Sequence, residues 1–85
     1  MTSKPINQQN NWLGKKVESF SDDELRAMFV EIAEFRRTGL LLSPSKLRSL
    51  ERDFSNFIQN HDGHLRLVED EVLFEMSRRF FNQAV

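Results

Sequence analysis

At 85 residues the chain is below the usual size of one domain, which excludes two independent cores. Twelve Lys and Arg against 13 Asp and Glu give a formal charge of −1, which argues against a generally basic nucleic-acid coat or an acidic disordered tail and leaves charged partners to a local patch. Cysteine is absent, excluding a disulfide framework, a thiolate metal site and a cysteine nucleophile, so a chain this short relies on packing, including packing between subunits.

Residues 2–11 are rich in Asn and Gln and contain Pro5, a composition that buries too little surface to offset its ordering entropy. The sequence therefore predicts a flexible polar arm over 1–11 and a single folded domain over 12–85. The arm lacks the apolar run of roughly 7–15 residues found in secretory signals. The longest pure apolar run is Leu40, Leu41 and Leu42, far short of the roughly 18 residues of a membrane span. A cytoplasmic protein without a membrane partner is the expectation.

In the folded part, Leu13, Val17 and Phe20 stand at i, i+4 and i+7, so 11–19 is read as a short helix despite Gly14. The next start is punctuated more strongly. Ser21 is placed to cap, Glu24 closes a capping box three residues on, and Phe20 can staple onto Leu25. Leu25, Met28, Phe29, Ile32 and Phe35 then share one face, and Gly39 suits the left-handed residue that ends a helix. The spacing predicts a helix over 22–38.

Ser43 as cap, Pro44 at the first helical position and a Leu42 to Leu47 staple predict a helix over 44–60, with Leu47, Leu50, Phe54, Phe57 and Ile58 as its stripe and Gly63 as terminator. The short link at 39–42 makes these two helices neighbours. A last helix is predicted over 67–83, with Glu69, Asp70 and Glu71 near its positive end and Arg78 and Arg79 near its negative end. Its pattern is two-sided. Val68, Val72, Leu73, Met76 and Phe80 occupy one face, while Leu67, Phe74 and Phe81, seven apart and continued by Val85, line the opposite one.

These elements predict an all-α bundle of three main helices with a short additional N-terminal helix. The expected core is Leu25, Phe29, Ile32, Leu50, Phe54, Phe57, Val72, Met76 and Phe80.

Few residues carry recognisable chemistry. Asn60, Asp62, Gly63, Leu65 and Glu69 resemble the second part of a calcium-binding EF-hand loop, but Ile58 stands where the first carboxylate belongs, and a hard cation needing six to eight oxygens loses an essential ligand. A helix stop at Asp62 and Gly63 accounts for the segment. His61 and His64, with Asp62 and Glu69 nearby, match no established zinc spacing. With no Cys or Tyr, with serines at caps and polar faces, and with dispersed carboxylates, no catalytic set stands out. Neither enzyme activity nor a cofactor or metal is expected.

Two binding surfaces remain. On the helix at 44–60, Ser45, Arg48, Ser49, Arg52 and Asn56 lie opposite the apolar stripe, and like charges one turn apart invite a phosphate or a base edge. Ser45 stands near a helix start, where a phosphate is favoured. A loose helix-turn-helix DNA-binding regulator is one reading, weakened by Glu51 and Asp53 on the same helix. The other surface is Leu67, Phe74, Phe81 and Val85. Burying each large apolar side chain is worth roughly 1.5–3 kcal/mol, so the row needs a cover: either residues 12–20 of the same chain, or another helix. The favoured expectation is a non-catalytic regulatory or adaptor protein that presents this row to another protein or to its own copy.

Overall fold

A computed structural model describes the backbone of residues 4–84 and the side chains of 11–82. Among the described residues there are four helices and no strand: α1 (Lys4–Glu18), α2 (Asp22–Thr38), α3 (Lys46–Ile58) and α4 (Leu65–Ala84). The bundle is therefore built from four helices rather than three main ones. α1 has 15 residues and starts at Lys4, well ahead of the stretch 11–19 that spacing alone marked. Its backbone takes in part of the expected arm, with Pro5 in the first turn, where a missing amide donor is tolerated. Gly14 does not break it, because Leu13 and Val17 are fully buried, and tertiary packing of one face outweighs a single poor helix former.

α2 forms as its sequence dictates. The Ser21 hydroxyl accepts from the Glu24 amide at 3.1 Å, and the Glu24 carboxylate accepts from the Ser21 amide at 2.8 Å. Gly39 closes the helix at φ 78°, its amide donating to the Phe35 carbonyl at 2.7 Å.

Both later helices start at positions the local sequence does not announce. α3 is capped by Ser45, not Ser43. Glu31 of α2 accepts from the Ser45 hydroxyl (2.7 Å) and from the amides of Lys46 (2.8 Å) and Leu47 (3.0 Å), while the Ser45 hydroxyl accepts from the Arg48 amide (3.0 Å). The unpaired donors of a helix start are thus met largely by a carboxylate from a neighbouring helix. α3 stops at Ile58, short of the expected Asn60. Gln59 takes the left-handed conformation (φ 57°), and the Asn60 amide returns to the Ser55 carbonyl at 3.1 Å. Gly63 has φ 94° within the loop, but is not the cap. α4 begins at Leu65, two residues before the sequence-based start, because Glu51 of α3 accepts from the His64 amide at 2.9 Å.

The core joins Leu13 and Val17 of α1, Leu25, Met28 and Ile32 of α2, Leu47, Leu50 and Phe54 of α3, and Val68 and Val72 of α4. α4 touches all three other helices. It runs antiparallel to α2, since Arg36 meets Glu69 and Asp22 meets Arg79, and alongside α1 in the same direction, with Gly14 beside Glu71 and Glu18 beside Arg79.

Three expected core residues are not buried. Phe29 (44 % exposed), Phe57 (49 %) and Phe80 (65 %) lie on flanks. Met76 is partly buried against the core. In α2 the inward direction follows Leu25, Met28 and Ile32, which leaves Phe29 beside the stripe. Phe57 stacks under Trp12, with ring centroids 5.0 Å apart and an angle of 14°.

Glu31→Ala is expected to lower stability by about 2 kcal/mol, since it strips three donors at the start of α3 of their acceptor. Glu34→Ala removes only a surface pair with Arg37 and should stay within about 0.5 kcal/mol of the parent. Urea denaturation of the two variants side by side measures the difference.

Candidate interaction surface

The rotational setting of α4 is held by Arg79, which Glu75 positions within the helix, and by Glu69, which meets Arg36 of α2. Glu75 accepts from Arg78 Nε (3.0 Å) and Nη2 (2.6 Å) and from Arg79 Nε (2.7 Å). Arg79 goes on to donate to Asp22 Oδ1 (2.7 Å), the Glu18 carbonyl (3.1 Å) and the Phe20 carbonyl (2.8 Å), tying the turn between α1 and α2 to α4. Nearer the other end, Glu69 is buried and accepts from Arg36 at 3.2 Å. Charge-assisted bonds in a partly desolvated site are stronger than their surface counterparts. The sequence placed Glu69 and the two arginines at the helix ends for the dipole. Their tertiary role was signalled by spacing, since Glu69 and Glu75 share the helical face of Val68, Val72 and Met76.

With that face turned inward, the opposite one turns outward. Leu67 is 37 % exposed, Phe74 62 % and Phe81 66 %. The Phe81 ring packs edge-on against Phe80, with centroids 5.5 Å apart. Val85 lies outside the described residues. Residues 12–20 do not cover the row: this part of α1 packs beside Glu71 and Arg79, leaving Phe74 and Phe81 bare. Leu73, partly buried, and Phe80 extend the apolar surface on one side of the row, and Glu71 and Arg78 flank it on the other.

Glu71 sits between α1 and α4 with its carboxyl against Gly14, where an added Cβ would lie 3.4 Å from Oε2. Burial, then the nearby carboxylates of Glu75, Asp70 and Glu18, push its carboxyl above the usual range. Glu75 is moved the other way, held low by its hydrogen bonds from Arg78 and Arg79 in spite of desolvation.

On α3, Arg48, Ser49, Arg52 and Asn56 do share an exposed side, with Ser45 at its head. They are occupied internally. Ser45 bonds Glu31, Arg48 donates to Glu51 at 2.9 Å, Arg52 reaches Ser49 at 3.5 Å, and Asn56 Oδ1 lies 2.9 Å from the His61 ring. In the loop that follows, Asn60 accepts from the Asp62 amide, and Glu69 is committed to Arg36. An open groove of about 500 Å³ lies among α1, α2 and α3, lined by Lys16 and Lys46 and by Glu24, Glu31 and Asp53, a mixed set of charges that selects no ligand.

No protein family, curated protein or solved structure matches the chain.

The raised Glu71 carboxyl has a consequence for stability. A group whose folded pKa exceeds its unfolded value penalises the folded state when ionised, fully above the folded value and not at all below the unfolded one, about 4.3. At a concentration low enough to keep the chain monomeric, Glu71→Gln should therefore raise the melting temperature at pH 7, with the gain fading on acidification and gone near pH 3. Thermal unfolding of parent and variant across that range tests it. Glu75 follows the opposite sign, its contribution being present above about pH 4.3 and lost as pH falls through its depressed value.

Proposed function

We propose that this chain is a non-catalytic regulatory or adaptor protein of the cytoplasm that acts by presenting the outer face of α4 to a protein. The observation that carries the reading is the row Leu67, Phe74 and Phe81, in heptad register and open to solvent on a helix whose other side is core. Each large apolar side chain left in water forgoes roughly 1.5–3 kcal/mol. Contiguous apolar surface of this kind on a small domain marks interaction sites. The row also has the geometry of helix-on-helix recognition, where anchors repeat along one side.

A second reading, DNA binding through Arg48, Ser49, Arg52 and Asn56, draws on their shared exposed side of α3. It has less support. The amides at the start of α3 already have acceptors, and Arg48 is neutralised by Glu51, which lowers the electrostatic attraction that dominates such binding.

Phe74→Ser combined with Phe81→Ser should abolish self-association and, at dilutions where the parent is monomeric, the uptake of an apolar fluorescent dye, while circular dichroism stays helical and the melting temperature shifts by only a few degrees. A double variant that unfolds would make the row structural. One that keeps the parent's dye binding and hydrodynamic behaviour would end the interaction reading. For the DNA reading, absence of duplex retardation at low salt is decisive.

A further inference from the structure

The outward face of α4 is complementary to its own reverse. Leu67, Phe74 and Phe81 form its centre line, with Ser77 beside them. Along one side of that line stand Glu71 and Arg78, of opposite charge; along the other stand Asp70 and Ser77 next to the row and, beyond them, the apolar Leu73 and Phe80. When two identical helices pack antiparallel about a twofold axis, each side of one meets the same side of the other with the order of residues reversed. An axis passing between Phe74 and Ser77 then sets Glu71 opposite Arg78 twice, and Leu73 opposite Phe80 twice. It also lays each Phe74 over the small Ser77 of the other copy, and each Asp70 beside Phe81 and within reach of Arg78 of the other copy. Parallel packing trades this match for Arg66 against Glu71 and Leu73 against Arg78, which leaves the second pair mismatched.

We propose that a second copy of this chain covers the outer face of α4, running antiparallel to it, with Glu71 of each copy against Arg78 of the other and Leu73 against Phe80. The inference rests on the interaction reading above and names its partner.

The two charged residues are in a condition to pair. Arg78 spends Nε and Nη2 on Glu75, and its Nη1 has no partner among the described residues. Its fork is held in place by that grip, so less freedom is lost on binding. Glu71 makes no hydrogen bond or ion pair among the described residues and stands in the field of Glu75, Asp70 and Glu18, a repulsion that a guanidinium from outside relieves. From Leu67 to Phe81 the seam runs about 21 Å along the helix. It has an apolar centre and a charged edge, the anatomy of a specific interface.

Sedimentation equilibrium of the full chain should give twice the 10.1 kDa chain mass. Glu71→Arg alone sets two guanidinium pairs against each other and should weaken association about tenfold or more. Arg78→Glu alone should do likewise, and mixing the two variants should restore association as a heterodimer, because residues 71 and 78 are too far apart on one helix to repair each other internally. The chain has no cysteine, so Leu73→Cys mixed with Phe80→Cys should cross-link under oxidation, while neither alone does. This second route stands even if Arg78→Glu fails to fold.

A chain that stays monomeric at millimolar concentration overturns the proposal. If that monomer still binds the apolar dye through Phe74 and Phe81, the interaction reading survives with a different protein as partner; if dye binding is absent too, both fall. Self-association indifferent to Glu71→Arg, or Leu73→Cys cross-linking to itself, overturns the antiparallel seam.

Discussion

Carboxylates aimed across helix boundaries decide how this bundle is assembled. Glu31 reaches from α2 to the start of α3, and Glu51 reaches from α3 to the start of α4. Glu69 pins α4 to α2 through Arg36, while Glu75, within α4, holds the Arg79 that bonds Asp22 and the turn between α1 and α2. An ionised group taken out of water is costly unless its lone pairs are matched. Here the matching is complete: among the described residues no buried side-chain nitrogen or oxygen lacks a partner. In a core made of only a few residues from each helix, such directional contacts supply what apolar packing leaves undetermined, the register of one helix against the next.

That constraint explains the exposed face. Rotating α4 to bury Phe74 would lift Val68 and Val72 out of the core, detach Glu69 from Arg36, and pull Arg79 away from Asp22 and the Glu18 and Phe20 carbonyls. The row Leu67, Phe74 and Phe81 stays in solvent because the opposite side of the helix is held on both apolar and ionic grounds. Arg78 belongs to both sides of this arrangement, gripping Glu75 inward and presenting the rest of its guanidinium outward. The polar side of α3 differs in that its arginine Arg48, its serine cap and its first amides are spent within the molecule.

Much of this was legible in the chain, and the part that was not has a common cause. α2 could be read to the residue because its cap, its box and its terminating glycine are all local. The two-sided pattern of α4 was equally plain, since apolar residues at 3.6-residue spacing state their faces without help. The starts of α3 and α4 were displaced because the acceptors that cap them, Glu31 and Glu51, lie 15 and 13 residues away from the amides they serve. α1 was underestimated because its stability comes from contacts of Leu13 and Val17 with other helices, not from its own composition. Spacing assigns Phe29, Phe57 and Phe80 to the inward stripe because it defines a broad face, and only the neighbours decide which of its edges is covered. The inward role of Glu75 was missed because a charged residue is assigned to water by type, although its position placed it among Val72, Met76 and Arg79.

The contact of α4 with every other helix also bears on how the chain acquires its structure during synthesis. α4 comes last of the four, and Arg79 closes the turn between the first two. Until that segment has left the ribosome, the core lacks Val68 and Val72 and the turn between α1 and α2 lacks its Arg79 tie, so the apolar sides of the first three helices stay partly uncovered in the nascent chain. The first three helices can meet through α3 without α4, but the core closes only when α4 is present to fill it.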